Sequence, residues 1–291
     1  NPRAYHREDF HDRDYTEGNA WQYLWFVPHD VYGLADLLGG KKAMSKKLDK
    51  LFTLPEQDSK VGDVSGFIGD YAHGNEPCHH VAYLYNYVGQ SHKTQKLIHQ
   101  IDKDFYKAAP DGYIGNEDAG QMSAWYVFSA LGFYPVTPGV DQYVIGSPLF
   151  KKATLHLENG KAFSISALNN SDKNYFIELA TLNNDQYDHN FITYDAVQNG
   201  GELIFEMNDK PNKKWGSKPE DAPPSMSSIL TQGQINEIMA YDKFDEDMEA
   251  WNKAMRAYYY QKKEHFELLP DTENEIIFLG NSITDGCEWA E

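Results

Sequence analysis

Apolar residues recur at helical spacing along the first half of the chain and predict a series of helices between about residues 16 and 135. Apolar positions within 44–52 fall on one face amid lysines, as in an amphipathic helix. The stretch 97–105 repeats this pattern, and residues 118–131 are apolar on most sides, which predicts a buried helix. Glycines at positions that fit helix C-termini follow these patterns: Gly39, Gly40, Gly89 and Gly132.

The hydrophobic period changes to two between about residues 141 and 208, which predicts a small antiparallel β unit. The alternation is clearest in three short runs, 154–157, 163–166 and 203–206. Asn159-Gly160 and Asn199-Gly200 are typical of hairpin turns.

The remainder of the chain changes character again. Residues 209–228 are polar and proline-rich, which predicts a loop or linker. Residues 245–268 predict one long helix, and residues 275–279 predict a short buried strand that ends at Gly280-Asn281-Ser282.

Charge narrows the class of partner. The 291 residues carry a formal net charge of −18. Nucleic acids and anionic membranes are polyanions and would be repelled, whereas a neutral substrate or a hard cation such as calcium is compatible with this charge. Aromatic residues make up 14% of the chain. They suit either sugar platforms or an aromatic-rich core.

Cysteine usage and apolar runs add little. Cys78 and Cys287 make no disulfide framework, and no apolar run approaches the ~20 residues that span a bilayer. Motif-dense sequence begins within twenty residues of Asn1, so we expect a piece of a longer protein. We also expect that parent to be exported, with its signal outside this sequence.

The first motif-dense stretch, the first segment, is residues 15–30. It places Glu17 among aromatic residues, in order Trp21, Tyr23, Trp25 and Phe26. A carboxyl held against aromatic rings loses hydration of its charged form, so we expect a raised pKa and a proton donor. The alternative is that Glu17 occupies the first turn of a helix capped by Thr16.

The second segment, residues 71–80, clusters polar side chains where a helix starts at Pro77. The cluster comprises Asn75, Glu76, His79 and His80. Such groups can bind a metal or several hydroxyls. Adjacent histidines point to different sides of a helix, which disfavours zinc. Helix-capping residues with a satisfied core histidine are the structural alternative.

The third segment, residues 110–125, places Glu117 and Asp118 between two glycines before the buried helix. Free backbone donors at a helix start favour an ionised carboxylate, which suits a general base. One acid with a raised pKa and one ionised base are the division of labour in glycoside hydrolysis. Spacing alone does not bring the two together.

Together these segments resemble the signature stretches of glycoside hydrolase family 92. The stretches are EGNAWQYLWFVPHD, HGNEPCHHVAYLYNY, GNEDAGQMSAWYVFSALGFYPV and YVIGSPLFKKATLHL, in the family's order. The similarity runs from about residue 1 to 228. It implies an (α/α)6-toroid catalytic domain, calcium dependence, and removal of terminal α-linked mannose with inversion, with α-1,2 linkages as the expected substrate in mannose-terminated glycans.

The resemblance also implies roles for single residues. Glu17 corresponds to the general acid and Asp118 to the general base. Asn116 is a further candidate catalytic residue on the same loop, at a position where some relatives carry a second acid. Asn75 and Asp70 are the candidate calcium ligands. The residues expected to bind substrate are Trp21, Gln22, Glu76, His79, His80, Glu117 and Gln121.

Two positions depart from the family pattern: Asp70 replaces an expected Gln, and Cys78 replaces the usual Ser. The change at Asp70 puts the linkage preference in doubt. We expect the first helices of the toroid and an N-terminal β-sandwich to lie outside this sequence, so that the isolated piece has an incomplete pocket wall.

A second resemblance lies near the C-terminus. Residues 275–286 (EIIFLGNSITDG) look like the first block of SGNH/GDSL-type esterases, in which Ser282 would be the nucleophile. The predicted organisation is therefore mainly α with a β unit. It comprises a partial toroid (1–138), a C-terminal β unit and loop (139–228), and the start of an α/β SGNH-like domain (229–291). A non-catalytic carbohydrate-binding remnant and an esterase acting through Ser282 remain alternatives to the mannosidase.

Overall fold

The computed structural model of this chain describes Tyr15 and residues 17–55, 64–137 and 139–229. Nearly all of them lie in the compact unit Asn1–Ser228. The second unit, Ile229–Glu291, lies outside the described residues except for Ile229. The predicted helix 245–268, the strand 275–279 and the nucleophile Ser282 therefore remain predictions.

Helices dominate up to residue 131, as the hydrophobic pattern predicts. They are α1 (Ala20–Tyr23), α2 (Val31–Leu37), α3 (Lys41–Thr53), α4 (Ser91–Phe105) and α5 (Gln121–Leu131), with 3₁₀ helices at Glu76–Cys78 and Val81–Val88. Helices α3 and α4 bury the apolar face that the sequence indicated. Gly89 and Gly132 end helices in the left-handed conformation, whereas Gly40 is the N-cap of α3.

Helix α5 differs from its prediction in two ways. It begins at Gln121, because Ala119 and Gly120 have φ values of 50° and 82° and form a turn instead of helix. Met122 and Trp125 are buried, but Val127 is 56% exposed. The helix is thus buried on one side only.

The strands form separate sheets. They are β1 (Phe67–Ile68), β2 (Tyr71–Ala72), β3 (Phe133–Tyr134), β4 (Tyr143–Ile145), β5 (Lys152–His156), β6 (Ala162–Leu168), β7 (Phe176–Leu182), β8 (Asp185–Gln186), β9 (Phe191–Ile192) and β10 (Gly201–Asn208). The main sheet has the order β5-β6-β10-β7-β8, a second has β3-β4-β9, and β1 pairs with β2.

The main sheet is mixed, which corrects the expectation of a purely antiparallel unit. Strands β5 and β6 form the predicted hairpin around Asn159-Gly160, and β7 is antiparallel to both of its neighbours. Strand β10 runs parallel to β6. Asn199-Gly200 is not a hairpin turn: Asn199 caps helix α6 (Tyr194–Gln198), and the chain enters β10 from that helix.

Residues 209–228 are mostly irregular, as the loop prediction has it, but they belong to the compact unit, so the alternative of a linker is wrong. Trp215 is buried, a 3₁₀ helix spans Pro219–Asp221, and α7 (Met226–Ile229) follows. The Ser225 and Ser227 hydroxyls donate hydrogen bonds to Asp30 Oδ1 at 3.1 and 2.7 Å. The polar residues of this stretch thus bind helix α2's N-cap, Asp30.

Two hydrophobic clusters form the core. One lies among the helices and includes Trp25, Tyr83 and Trp125, and the other includes Phe163 and Phe205 of the main sheet. Within the described residues, no helix combines the length and the hydropathy that crossing a membrane would need.

Candidate active site

Glu17 lies in a turn that precedes helix α1. Its φ of 51° is unusual for a residue with a long side chain, and such strain is concentrated at functional sites. The N-cap of α1 is Asn19, whose Oδ1 accepts a hydrogen bond from Trp21 N at 2.8 Å. The alternative that Glu17 sits in the first helical turn is therefore wrong.

Tyr23 is the aromatic residue beside Glu17. A Cβ on Gly18 would lie 2.8 Å from Tyr23 Cε2, so the ring rests on the backbone next to Glu17. Burial, and then the negative charge of Glu17, raise the pKa of Tyr23. Trp25 is buried in the core and Phe26 is 53% exposed. Lys50 Nζ lies 5.0 Å from the ring centroid of the buried Trp21.

Buried amides connect the first segment to the second. Asn75 Nδ2 donates to the backbone oxygen of Glu17 at 2.6 Å, and Gln22 Nε2 donates to the backbone oxygen of Asp70 at 2.9 Å. Gln22 Oε1 accepts from Asn19 N at 2.7 Å. Both amide atoms of Gln22, predicted to bind substrate, are thus engaged within the protein.

Glu76 brings the carboxyl groups of all three segments together. It begins the 3₁₀ helix Glu76–Cys78, with Pro77 in the first turn as predicted. Burial, a hydrogen bond to Asp118, and the charges of Asp118 and Glu17 raise the pKa of Glu76 to about 7. Its Oε1 atom is buried without a hydrogen-bond partner. The sequence analysis placed Glu76 among substrate ligands and missed its pairing with Asp118.

The two adjacent histidines point to different backbone carbonyls. His79 Nε2 donates to His73 O at 2.9 Å, and His80 Nε2 donates to Trp25 O at 2.7 Å. Burial lowers the pKa of each to about 4, so both rings are neutral. His79 Nδ1 accepts a hydrogen bond from Gln121 Nε2 at 3.1 Å, which connects the second segment to helix α5.

A close approach of two glycines joins the second and third segments. A Cβ on Gly115 would lie 2.6 Å from Gly74 O, and a Cβ on Gly74 would lie 3.2 Å from Gly115 Cα. Only glycine at both positions allows the two backbones to come this near. The glycines in the motifs are the sequence signal that could have indicated this contact.

The third segment uses its two acids differently. Glu117 accepts hydrogen bonds from Met122 N at 3.0 Å and from Ser123 N and Ser123 Oγ. The donors at the start of α5 therefore serve Glu117, a choice between the two adjacent carboxylates that the sequence left open. Asn116 is exposed on the same loop.

The candidate calcium ligands are both buried. Asp70 is fully buried, and its backbone N donates to Leu51 O at 2.9 Å. The amide of Asn75 uses its nitrogen for Glu17. In the described ranges, His, Cys, Asp and Glu side chains form no group of three or more suited to a metal ion. A calcium site here would therefore depend on amide and backbone oxygens as well as carboxylates.

These contacts define a site in which Glu17 and Asp118 both lie close enough to Glu76 to raise its pKa. A carboxyl that holds its proton near neutral pH beside other carboxyl groups is typical of enzymes that use general acid–base catalysis.

Comparison with known proteins shows the family to which this chain belongs. Residues 2–209 match the glycosyl hydrolase family 92 catalytic domain. The chain therefore belongs to this family of glycoside hydrolases.

Relatives of known sequence or structure support this family assignment. An uncharacterized secreted glycosidase of Arthroderma benhamiae is 32% identical over 215 residues, which is 73% of this chain and 26% of that protein. The family GH92 α-mannosidase of Bacteroides thetaiotaomicron solved in complex with mannoimidazole is 46% identical, with a TM-score of 0.71 over 73% of this chain and 28% of that chain. A GH92 inverting mannosidase of the same organism is 44% identical, with a TM-score of 0.66 over 73% and 30%. The chain thus spans less than a third of the length of these relatives.

Proposed function

We propose that the protein containing this chain is an exo-acting α-mannosidase that releases terminal mannose with inversion. The observation that carries the proposal is the convergence of Glu17, Glu76 and Asp118, connected by the Asn75–Glu17 hydrogen bond and the Glu76–Asp118 pair. The similarity to two solved mannosidases of the family supports the choice of sugar.

Glu17 is proposed as the general acid, which protonates the leaving glycosidic oxygen. Asp118 is proposed as the general base, which takes a proton from the attacking water on the opposite face of the sugar. The carboxyl of Asp118 lies beside that of Glu76, and burial together with this contact raises the pKa of Glu76 to about 7.

Calcium is proposed as the cofactor. The residues fit a hard cation in one respect: Glu76 Oε1 is a buried carboxyl oxygen that lacks a hydrogen-bond donor. Glu76, Asn75 and Asp70 would hold the ion through oxygen atoms. When bound, calcium would hold two hydroxyls of the sugar and favour a distorted ring.

Three further features of the parent protein are proposed. They are a toroid completed by the rest of the parent protein, a preference for α-1,2-linked mannose, and export of the parent. Export is supported by the secreted relative from Arthroderma benhamiae. An SGNH-type esterase domain that uses Ser282 is proposed from its sequence motif.

The test is hydrolysis of α-1,2-mannobiose and of other α-mannosides by the full-length protein, with and without a calcium chelator. We expect release of mannose that stops on chelation and returns when calcium is added back. Glycan binding without release, from folded protein supplied with calcium, would favour the non-catalytic carbohydrate-binding alternative.

A further inference from the structure

Glu117 caps helix α5 from three residues before its N-cap. The N-cap residue is Gly120, which has no side chain to accept hydrogen bonds from the first turn. Glu117 fills this role by accepting from Met122 N, Ser123 N and Ser123 Oγ. Carboxylates are stabilising at this end of a helix, because free N–H groups and the helix dipole both favour negative charge.

The cap closes a strained turn around Asp118. Ala119 and Gly120 both have positive φ, and Gln121 N donates to the backbone oxygen of Asp118 at 2.9 Å. The amides at the start of α5 are bound to Glu117, and the Asp118 carboxyl lies beside Glu76 on the second segment.

From this geometry we infer that Glu117 is a positioning residue that holds Asp118 towards Glu76, and that it is not a ligand of the substrate. The inference rests on the proposed function, in which Asp118 is the general base. It replaces the sequence-based expectation that Glu117 binds the sugar.

Steady-state kinetics of the full-length protein distinguish a positioning role of Glu117 from a role as a substrate ligand. We expect Glu117→Ala to lower kcat about 10- to 100-fold with little change in KM, because a misplaced base slows the chemical step more than binding. Glu117→Gln keeps an oxygen that can accept from Met122 N and Ser123 N, so it should restore most of kcat. A raised KM with unchanged kcat in both variants would overturn the inference in favour of a substrate ligand.

Two further variants control for stability. Thr193→Ala removes the side-chain cap of α6, where Thr193 Oγ1 accepts from Ala196 N at 3.2 Å, far along the chain from the carboxyl cluster. It should lower the melting temperature by about 2–4 °C without changing kcat. Ser123→Ala removes one donor to Glu117 and should lower kcat about two- to fivefold, in the direction of Glu117→Ala. It serves in place of Glu117→Ala if that variant does not fold, and an unchanged kcat would then contradict the inference.

A crystal structure of Glu117→Ala, or of Ser123→Ala if the former does not fold, decides the matter independently of activity. We expect the Asp118 carboxyl to leave Glu76. If Asp118 stays in place, Glu117 does not position it, whether or not the protein hydrolyses mannosides. If the wild-type protein releases no mannose while Asp118 moves in the variant, the proposed function fails and the positioning role stands.

Discussion

The helical region and the main sheet accommodate unusual backbone conformations with different residue types. In the sheet region, the non-glycine residues with positive φ among those described are Asn169, Asn183 and Asn184. Asparagine tolerates this conformation well. In the helical region they are Glu17 and Ala119, which have no such tolerance and which lie at or next to the proposed acid and base. Strain on ill-suited residues thus marks the site, whereas strain on asparagine marks ordinary turns.

Both regions bury apolar and polar side chains, but the buried polar groups that connect the motif segments lie in the helical region. The sheet packs side chains such as Phe163, Leu203 and Phe205 into an apolar core. The helical region buries a polar set that connects the motif segments, consisting of Asn19, Gln22, Asp70, His73, Asn75, His79 and His80. His73, which the sequence analysis did not single out, lies between the Tyr71 and Tyr106 hydroxyls at 2.8 Å from each.

Loss of the proposed acid should give the largest effect. We expect Glu17→Gln to lower kcat by about 10²- to 10⁴-fold with little change in melting temperature, because proton donation to the leaving group is lost while the fold is kept. Initial-rate kinetics and calorimetry on the full-length protein measure both. Glu158→Gln, an exposed carboxylate in the sheet hairpin, is the matched control and should retain full activity. An equal loss of kcat in Glu17→Gln and Glu158→Gln would contradict the claim that the chemistry belongs to the helical region.

A cavity in the main sheet should lower stability and leave kcat unchanged, which is the opposite of the effect expected for Glu17→Gln. Phe205 is fully buried in β10, so Phe205→Ala should lower the free energy of unfolding by about 3–5 kcal/mol. At a temperature where the variant is folded, kcat should be unchanged. Denaturant unfolding and kinetics test this, and a kcat loss comparable to that of Glu17→Gln would show that the sheet contributes directly to the chemistry.

Acid should destabilise the helical region through its buried histidines. The pKa of His80 falls from 6.5 to about 4 on folding, so the unfolded chain binds more protons between these values. Its contribution to stability is complete above pH 6.5 and is lost as pH falls towards 4, by about 3 kcal/mol in total.

The measurement is the slope of unfolding free energy against pH between 6.5 and 4. His80→Gln should reduce that slope, and the part that remains is expected from His79, whose pKa burial also lowers to about 4. An identical slope in wild type and His80→Gln would show that the buried His80 does not contribute to destabilisation by acid.

The smallest change in stability is expected from alanine substitutions at two glycines that have nearly the same backbone conformation. Gly115 and Gly160 have φ values of 78° and 81°, but a Cβ on Gly115 would meet Gly74 O whereas a Cβ on Gly160 would meet open space. Gly160→Ala should cost about 1 kcal/mol of stability from backbone strain alone and keep kcat. Gly115→Ala should cost more and lower kcat, since it separates the segments of Glu76 and Asp118. Thermal unfolding and kinetics compare the pair, and equal effects would argue against the close approach.

Local patterns could be read from the sequence, and long-range contacts could not. Helix α3 and the β5–β6 hairpin follow from short-range periodicity and a turn dipeptide. The parallel pairing of β6 with β10 depends on how the chain returns through α6, which periodicity does not encode. The Glu76–Asp118 pair likewise joins residues 42 positions apart, as their numbers in the sequence show. Motif similarity singled out the candidate carboxyl groups, but the contact between Glu76 and Asp118 could be predicted only from the fold.

The most direct test of the account follows the anomeric proton of released mannose by NMR, with the full-length protein, calcium and an α-mannoside. We predict that β-mannose appears first and then mutarotates, and that Glu17→Gln and Asp118→Asn release little or none. Release of α-mannose first, or no release by folded wild-type protein, would contradict the claim that these carboxyl groups form the site of an inverting mannosidase.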